Sequence, residues 1–325
     1  FNRDVRPILS DKCFSCHGPD EEGRKADLRL DIEEHAKDED MMAIVAGEPE
    51  ESEIFFRIHS DDEDELMPPP EIGKPLSQKE KEIIEQWIAE GAPWADHWAY
   101  VKPKWTDPPM PKNSDWSGHW IDRFTLNDTE NKNLAPANDA DPVSLVRRLH
   151  FDLTGLPPAS KTVKSFVQDP NPSAYQALVE QLMGSEHFGE RMAVYWLDLV
   201  RYADTVGYHG DQPHNISPYR DWVITAFNDN MPYDQFTREQ LAGDLLPGSS
   251  VQHKVASGYN RLLQTTHEGG LQLKEYDAIY AADRVRNVSE VWMGATVGCA
   301  QCHDHKYDPY TIKDHYSLAS FFADL

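Results

Sequence analysis

What this chain of 325 residues lacks narrows its chemistry before any motif is considered. No run of apolar residues approaches the ~20 that a membrane-crossing helix needs. Basic residues are scarce, 31 Lys and Arg against 56 Asp and Glu, for a formal net charge of -25. That balance argues against nucleic acid or anionic lipid as a partner, because both demand a basic face, and suits a cationic partner better. Segments with a period of two are absent too, so neither a sheet nor a barrel is expected. Cysteine is rare, with four in all, and none is spare: they fall as Cys13 with Cys16 and Cys299 with Cys302.

Each pair is spaced by two residues and followed at once by a histidine, in CFSCH ending at His17 and CAQCH ending at His303. Two thiols three residues apart project from one helical turn, where they meet the two vinyl groups of a porphyrin, and the adjacent imidazole then lies under the iron. A single Cys-x-x-Cys also suits a thioredoxin-like dithiol, half of a zinc site or a short-loop disulfide. The dithiol needs a strand before it, whereas both pairs follow helical stretches. A four-cysteine zinc site would leave both histidines unexplained. The pattern therefore points to two covalently bound haem c groups, held through Cys13, Cys16, Cys299 and Cys302, with His17 and His303 as proximal ligands. Covalent haem attachment takes place after export, so a periplasmic or otherwise exported bacterial protein is expected. The chain opens at Phe1 without a methionine and ends in an apolar helical stretch with no Gly or Pro stop, so the native polypeptide is expected to continue.

The expected fold class is mainly α: a small class I-like cytochrome c domain and a larger helical domain that carries the second haem. Residues 1–96 read as the first domain. Val5, Ile8 and Leu9 share one face of a short helix that delivers the chain to Cys13. Ser77 and Glu80 form a capping box, and Ile83, Ile84, Trp87 and Ile88 follow at helical spacing until Gly91 and Pro93 end the segment. Between these helices, Leu66-Met67-Pro68-Pro69-Pro70 sets a thioether on an extended backbone, which makes Met67 the candidate distal ligand opposite His17. Residues 97–118, rich in Pro, Trp and Lys, read as an extended linker packed on its neighbours through aromatics such as Trp94, Tyr100 and Trp105. Residues 119–325 read as helical, with helices expected from Asp141-Pro142, over Ala174–Met183, Gly189–Tyr202, Arg220–Asn228 and Tyr276–Met293.

FNRDVRPILSDKCFSCHGPD, LMPPP and GAPWADHWAY in the first part, and RRLHFDLTGLPP, HFGERMAVYWLDLVRYADT, YRDWVITAFNDNMPYDQFTREQLAGDLLP and CAQCHDHKYDP in the second, resemble planctomycete-type cytochrome c proteins. There a cytochrome domain precedes a larger domain of largely unknown function with its own haem motif. The resemblance covers nearly all of the chain. It implies a bacterial exported redox protein, with Cys13, Cys16, His17 and Met67 at the haem-binding positions and a further domain after the present C-terminus.

The sixth ligand at the second haem stays open in the sequence. His187, in HFGER, is the first candidate, followed by His97 and His305, although His305 stands too close to His303 to reach the other face of the same haem. With no protein ligand there, the iron would be five-coordinate and able to do chemistry. Arg201, Tyr202, Asp204, Tyr208, Asp211, Arg220 and Asp221 supply the donors and carboxylates for a peroxidase-like pocket, a calcium site, or a buried ion-pair network between helices. Two functions follow: electron transfer between a redox partner and a fused or docked domain, or a peroxidase- or oxidase-like enzyme whose open second haem is reduced by the first.

Overall fold

The computed structural model of the chain describes residues 1–325 apart from 22, 114, 115, 117, 118, 267, 268 and 306. Lys306 of the CAQCHDHKYDP stretch and residues 114, 115, 117 and 118 of the 97–118 linker thus lie outside the described residues. The chain is mainly helical, and the β pairing among the described residues is the isolated bridge between Thr205 and Pro213. It forms two compact units. The first joins Phe1–Lys104 to Val288–Asp324, and the second runs from Trp105 to Asn287 with Leu325.

In the first unit, α1 (Arg6–Lys12) leads directly into α2 (Phe14–His17), and α3 (Glu33–Ala36), α4 (Glu53–His59) and α5 (Gln78–Ala89) follow. The capping box at the start of α5 is formed: the Ser77 hydroxyl accepts from the Glu80 N–H at 3.3 Å, and the Glu80 carboxylate accepts from the Ser77 N–H at 2.7 Å. Two orphan donors of the first turn are thereby satisfied. Helix α5 stops just before Gly91, whose φ of +92° no L side chain holds without strain. The stripe that the spacing predicted is the core: Ile84, Trp87 and Ile88 share one apolar cluster with Val5, Ile8 and Leu9, and Cys13 packs against it. Trp87 keeps its polar edge satisfied by donating to the Pro93 carbonyl at 2.9 Å.

The second unit contains α6 (Trp120–Asn131), α7 (Pro142–Thr154), α8 (Ser160–Gln168), α9 (Pro172–Met183), α10 (Glu186–Leu199), α11 (Ser217–Asn228), α12 (Tyr233–Ala242), α13 (Val251–Ala256) and α14 (Leu273–Val288). Helices α7, α9, α10 and α11 answer the sequence expectation within a few residues. The helix expected over Tyr276–Met293 begins earlier and ends as α14 at Val288; Ser289–Met293 continues as a π turn that Gly294, at φ +60°, terminates. Helices α6, α8, α12 and α13 carried no expectation. Among them, α6 buries Leu126 and α8 buries Phe166, while α12 buries Phe236 with Glu239 and Gln240. Gly189 is where α10 and α11 approach: a Cβ there would stand 2.4 Å from the Ile224 carbonyl oxygen. Its N–H donates to Asn228 Oδ1 at 2.7 Å instead. Nearby, the buried Trp196 indole and Tyr219 hydroxyl both donate to Gln240 Oε1, at 2.9 and 2.5 Å.

The remainder of the first unit is the 3-10 turn Val297–Gln301 and α15 (Ile312–Ser320), which opens with a capping box between Thr311 and Asp314.

Ile84 is fully buried in the cluster that supports Cys13. Ile84→Ala is expected to destabilise the holoprotein by about 2–5 kcal/mol, read as a lowered urea midpoint at unchanged slope.

Candidate haem sites

Around the first motif the chain builds a cavity of ≈ 330 Å³ whose wall includes Cys13, Cys16, His17 and Met67 together. Apolar side chains supply most of the remaining wall, among them Leu30, Ile54, Ile58 and Leu76. Helices α1 and α2 bring the cysteine pair and histidine to it, while α4, the Met67–Pro69 stretch and loop residues such as Leu30, Met41 and Leu76 complete the wall. A planar apolar macrocycle with a metal at its centre asks for this donor set in an apolar slot, so these residues fit a c-type haem. The two thiols are free and no disulfide joins them. Burial, then the neighbouring Cys16, pushes the Cys13 thiol up to about 12, which is the reverse of the lowered pKa that a redox dithiol uses.

Two backbone carbonyls orient the ligands. His17 Nδ1 lies 3.2 Å from the Lys25 carbonyl oxygen, an acceptor only, so Nδ1 carries the proton and Nε2 keeps its lone pair for a metal. Burial lowers the His17 pKa, opposed in part by that bond, and holds the imidazole in its neutral, ligating form. At the other ligand, the Met67 N–H donates to the Arg57 carbonyl at 2.9 Å, tying the loop to α4.

The second motif stands differently. Cys299, Cys302 and His303 are all exposed, on the 3-10 turn Val297–Gln301 and just after it. His303 Nδ1 lies 2.8 Å from the carbonyl of Asp304, again leaving Nε2 as the free donor. Helix α15 braces the motif: the Tyr316 hydroxyl donates to the Gln301 carbonyl at 3.2 Å, and the Ile312 N–H donates to Asp304 Oδ1 at 2.8 Å.

Of the three histidines considered for the sixth position, His97 and His305 have both ring nitrogens in contact with protein groups, whereas His187 has only Nδ1 so placed. His187 lies in the second unit, exposed on α10, with Nδ1 2.7 Å from Glu190 Oε2, a bond that raises its pKa. His305 is buried and both its nitrogens are in use: Nδ1 accepts from the N–H groups of Tyr307 and Asp308, at 3.1 and 2.9 Å, and Nε2 donates to Thr296 Oγ1 at 2.8 Å. His97 Nδ1 accepts from the Ala99 N–H at 3.3 Å, and its Nε2 is 3.0 Å from Asp308 Oδ1. These contacts, with the 2.6 Å hydrogen bond between the Tyr100 and Tyr310 hydroxyls, fasten residues 97–100 to the loop after His303 within the first unit.

Residues 201–221 do not form a buried network. Arg201 pairs with Asp283 at 2.5 Å, Arg220 pairs with its neighbour Asp221, and Tyr202 donates to Asp204; these groups are largely exposed. Among the described residues, no group of three or more His, Cys, Asp or Glu side chains gathers as a ligand set for a metal ion, so the calcium expected there has no preformed cage. Sequence reasoning also missed the carbonyls of Lys25 and Arg57 and the hydroxyl of Thr296. Backbone carbonyls leave no mark in a sequence, and a lone threonine has no pattern.

Thr296→Val leaves the buried His305 Nε2–H without an acceptor and is expected to cost about 1–3 kcal/mol in urea unfolding of the holoprotein. A cycle with His305→Ala should return a coupling near 1 kcal/mol.

Residues 13–71 match the family described as Planctomycete cytochrome C, and residues 120–325 match PSCyt2, a protein of unknown function (DUF1549). No curated protein and no solved structure matches the chain. No helix among the described residues is long and apolar enough to cross a membrane. A c-type cytochrome segment, its cysteines and histidine on the wall of an apolar cavity, thus precedes a helical stretch that spans well over half of the sequence, and by that match the chain belongs to the PSCyt2 (DUF1549) family.

Proposed function

We propose that this is an exported, periplasmic dihaem c-type cytochrome acting in electron transfer between a redox partner and a fused or docked domain. The observation that carries the reading is the cavity on whose wall Cys13, Cys16, His17 and Met67 meet. Bound haem supplies reversible one-electron chemistry, at a potential that Met/His ligation raises. The chain does the rest. Cys13 and Cys16 would hold the porphyrin through thioethers, His17 would ligate through the nitrogen that its bond to Lys25 leaves free, and Met67 would supply a thioether ligand from a loop pinned to Arg57. Leu30, Ile54, Ile58 and Leu76 keep water from the metal. Cys299, Cys302 and His303 form the second attachment, in the same compact unit as the first, which favours passage between the two centres. As sequence modules, residues 1–96 are the cytochrome domain and 119–325 the second domain; the compact units divide the chain elsewhere, at 104 and 287.

The second reading is a peroxidase- or oxidase-like enzyme with an open second site. It is favoured by one observation: His97 and His305 have both nitrogens engaged, and His187 belongs to the other unit. A ligand from His187 would instead serve pure transfer.

Under denaturing conditions the mass is expected to exceed the polypeptide by two haem groups, with one modification on each cysteine-pair peptide; fewer than two overturns the dihaem assignment. Met67→Ala is expected to turn one of the two haems high-spin and open to carbon monoxide, while Met67→His keeps it low-spin and lowers its midpoint potential. Carbon monoxide binding by the unmodified ferrous protein would select the enzymatic reading.

A further inference from the structure

We infer that the mouth of the cavity bearing Met67 is the docking surface for a cationic redox protein. This rests on the reading of that cavity as a haem site and adds its partner's chemistry. The lip of the cavity is apolar and open: Met41 and Ile72 line it while remaining 37% and 43% exposed. Exposed apolar side chains at the rim of a cavity mark a contact surface rather than a core.

Charge names the occupant. From Asp38 to Glu71 the chain has thirteen Asp and Glu residues and one basic residue, Arg57. The segments that present the lip also present the acids. The Asp38 carboxylate accepts from the N–H groups of Asp40 and Met41, at 2.9 and 3.1 Å, so this turn and Met41 move as one piece. Immediately before Met67, the N–H groups of Glu65 and Leu66 bond to the Asp62 carbonyl, at 3.1 and 2.8 Å. Glu71 precedes Ile72 in a single 3-10 turn. The cavity wall itself is close to balanced, with Glu53 paired to Arg57 at 2.8 Å and Lys12 paired to Asp11 at 3.1 Å, so the acidic excess belongs to the turns around the mouth. An apolar centre set among carboxylates complements an apolar centre ringed by lysine. The long-range field speeds the encounter, and the bare lip lets the two surfaces close. A second copy of the chain would bring the same thirteen acids and be repelled.

The test is the quenching rate of the photoexcited triplet state of a zinc-substituted basic cytochrome c by the ferric holoprotein. In this reaction the excited porphyrin gives up one electron and one ferric haem gains it. Two triple variants remove the same charge. Asp40→Asn/Glu65→Gln/Glu71→Gln alters the mouth; Glu82→Gln/Glu85→Gln/Glu90→Gln alters α5 and its C-cap, which contribute nothing to the cavity wall. The rate is expected to fall as salt is added, and at low salt to drop roughly fivefold or more in the mouth variant but less than about twofold in the other. Equal effects of the two triples, or no salt dependence, overturn the assignment of the mouth as the docking surface while leaving the haem reading intact. Dimerisation at low salt, lost in the mouth variant, would give the surface to a second copy and likewise overturn it. A Cys13/Cys16 peptide without haem fails the underlying reading instead, and is told apart by its mass.

Discussion

The packing of the first helix and the capped helix α5 into one apolar cluster decides where the chemistry stands. Leu9, Ile84 and Ile88 are fully buried in it, and Cys13 rests on its edge. A cysteine pair and histidine can hold a porphyrin only if all three leave one turn in fixed directions. The cluster fixes that turn because α1 runs straight into α2 with no loop between them to flex. Interiors this dense tolerate little displacement, so the anchor point of the first haem motif inherits the rigidity of the core.

The two motifs share a sequence pattern and differ in surroundings. Cys13, Cys16 and His17 face an apolar cavity, whereas Cys299, Cys302 and His303 stand exposed on a short turn braced from behind by α15 and the His305 loop. Burial and polarity around a haem are levers on its potential and on access to its iron. Identical attachment chemistry can therefore support two centres of different character. In both motifs a backbone carbonyl takes up Nδ1 of the histidine, so the tautomer is set by the main chain and survives the change of environment.

The acidic excess acquires a meaning only when it is located. Spread evenly, a net charge of -25 would keep the chain soluble and do little else. Concentrated between Asp38 and Glu71, on the turns that carry Met41, Met67 and Ile72, it sets an acidic excess beside one cavity, whose own wall pairs Glu53 with Arg57.

Much of this was legible in the sequence. The haem motifs, the helix from Gln78 to Ala89 with its Ser77 cap, the prevalence of helix and the joining of Met67 to the first motif's site all rest on local signals: fixed spacings, caps and apolar periods that act within a turn or two. Short helices such as Trp120–Asn131 and Ser160–Gln168 were not legible, because most of the stability of a helix this short comes from the neighbours it packs on. Tertiary structure alone decided that residues 288–324 join the compact unit of residues 1–104, that Arg201 reaches Asp283 while Arg220 pairs with its neighbour Asp221, and that His305 engages Thr296 through one nitrogen and its own loop through the other. Those outcomes depend on which distant surfaces meet, and a local pattern of residues does not encode a meeting between segments some two hundred positions apart, such as Tyr100 and Tyr310.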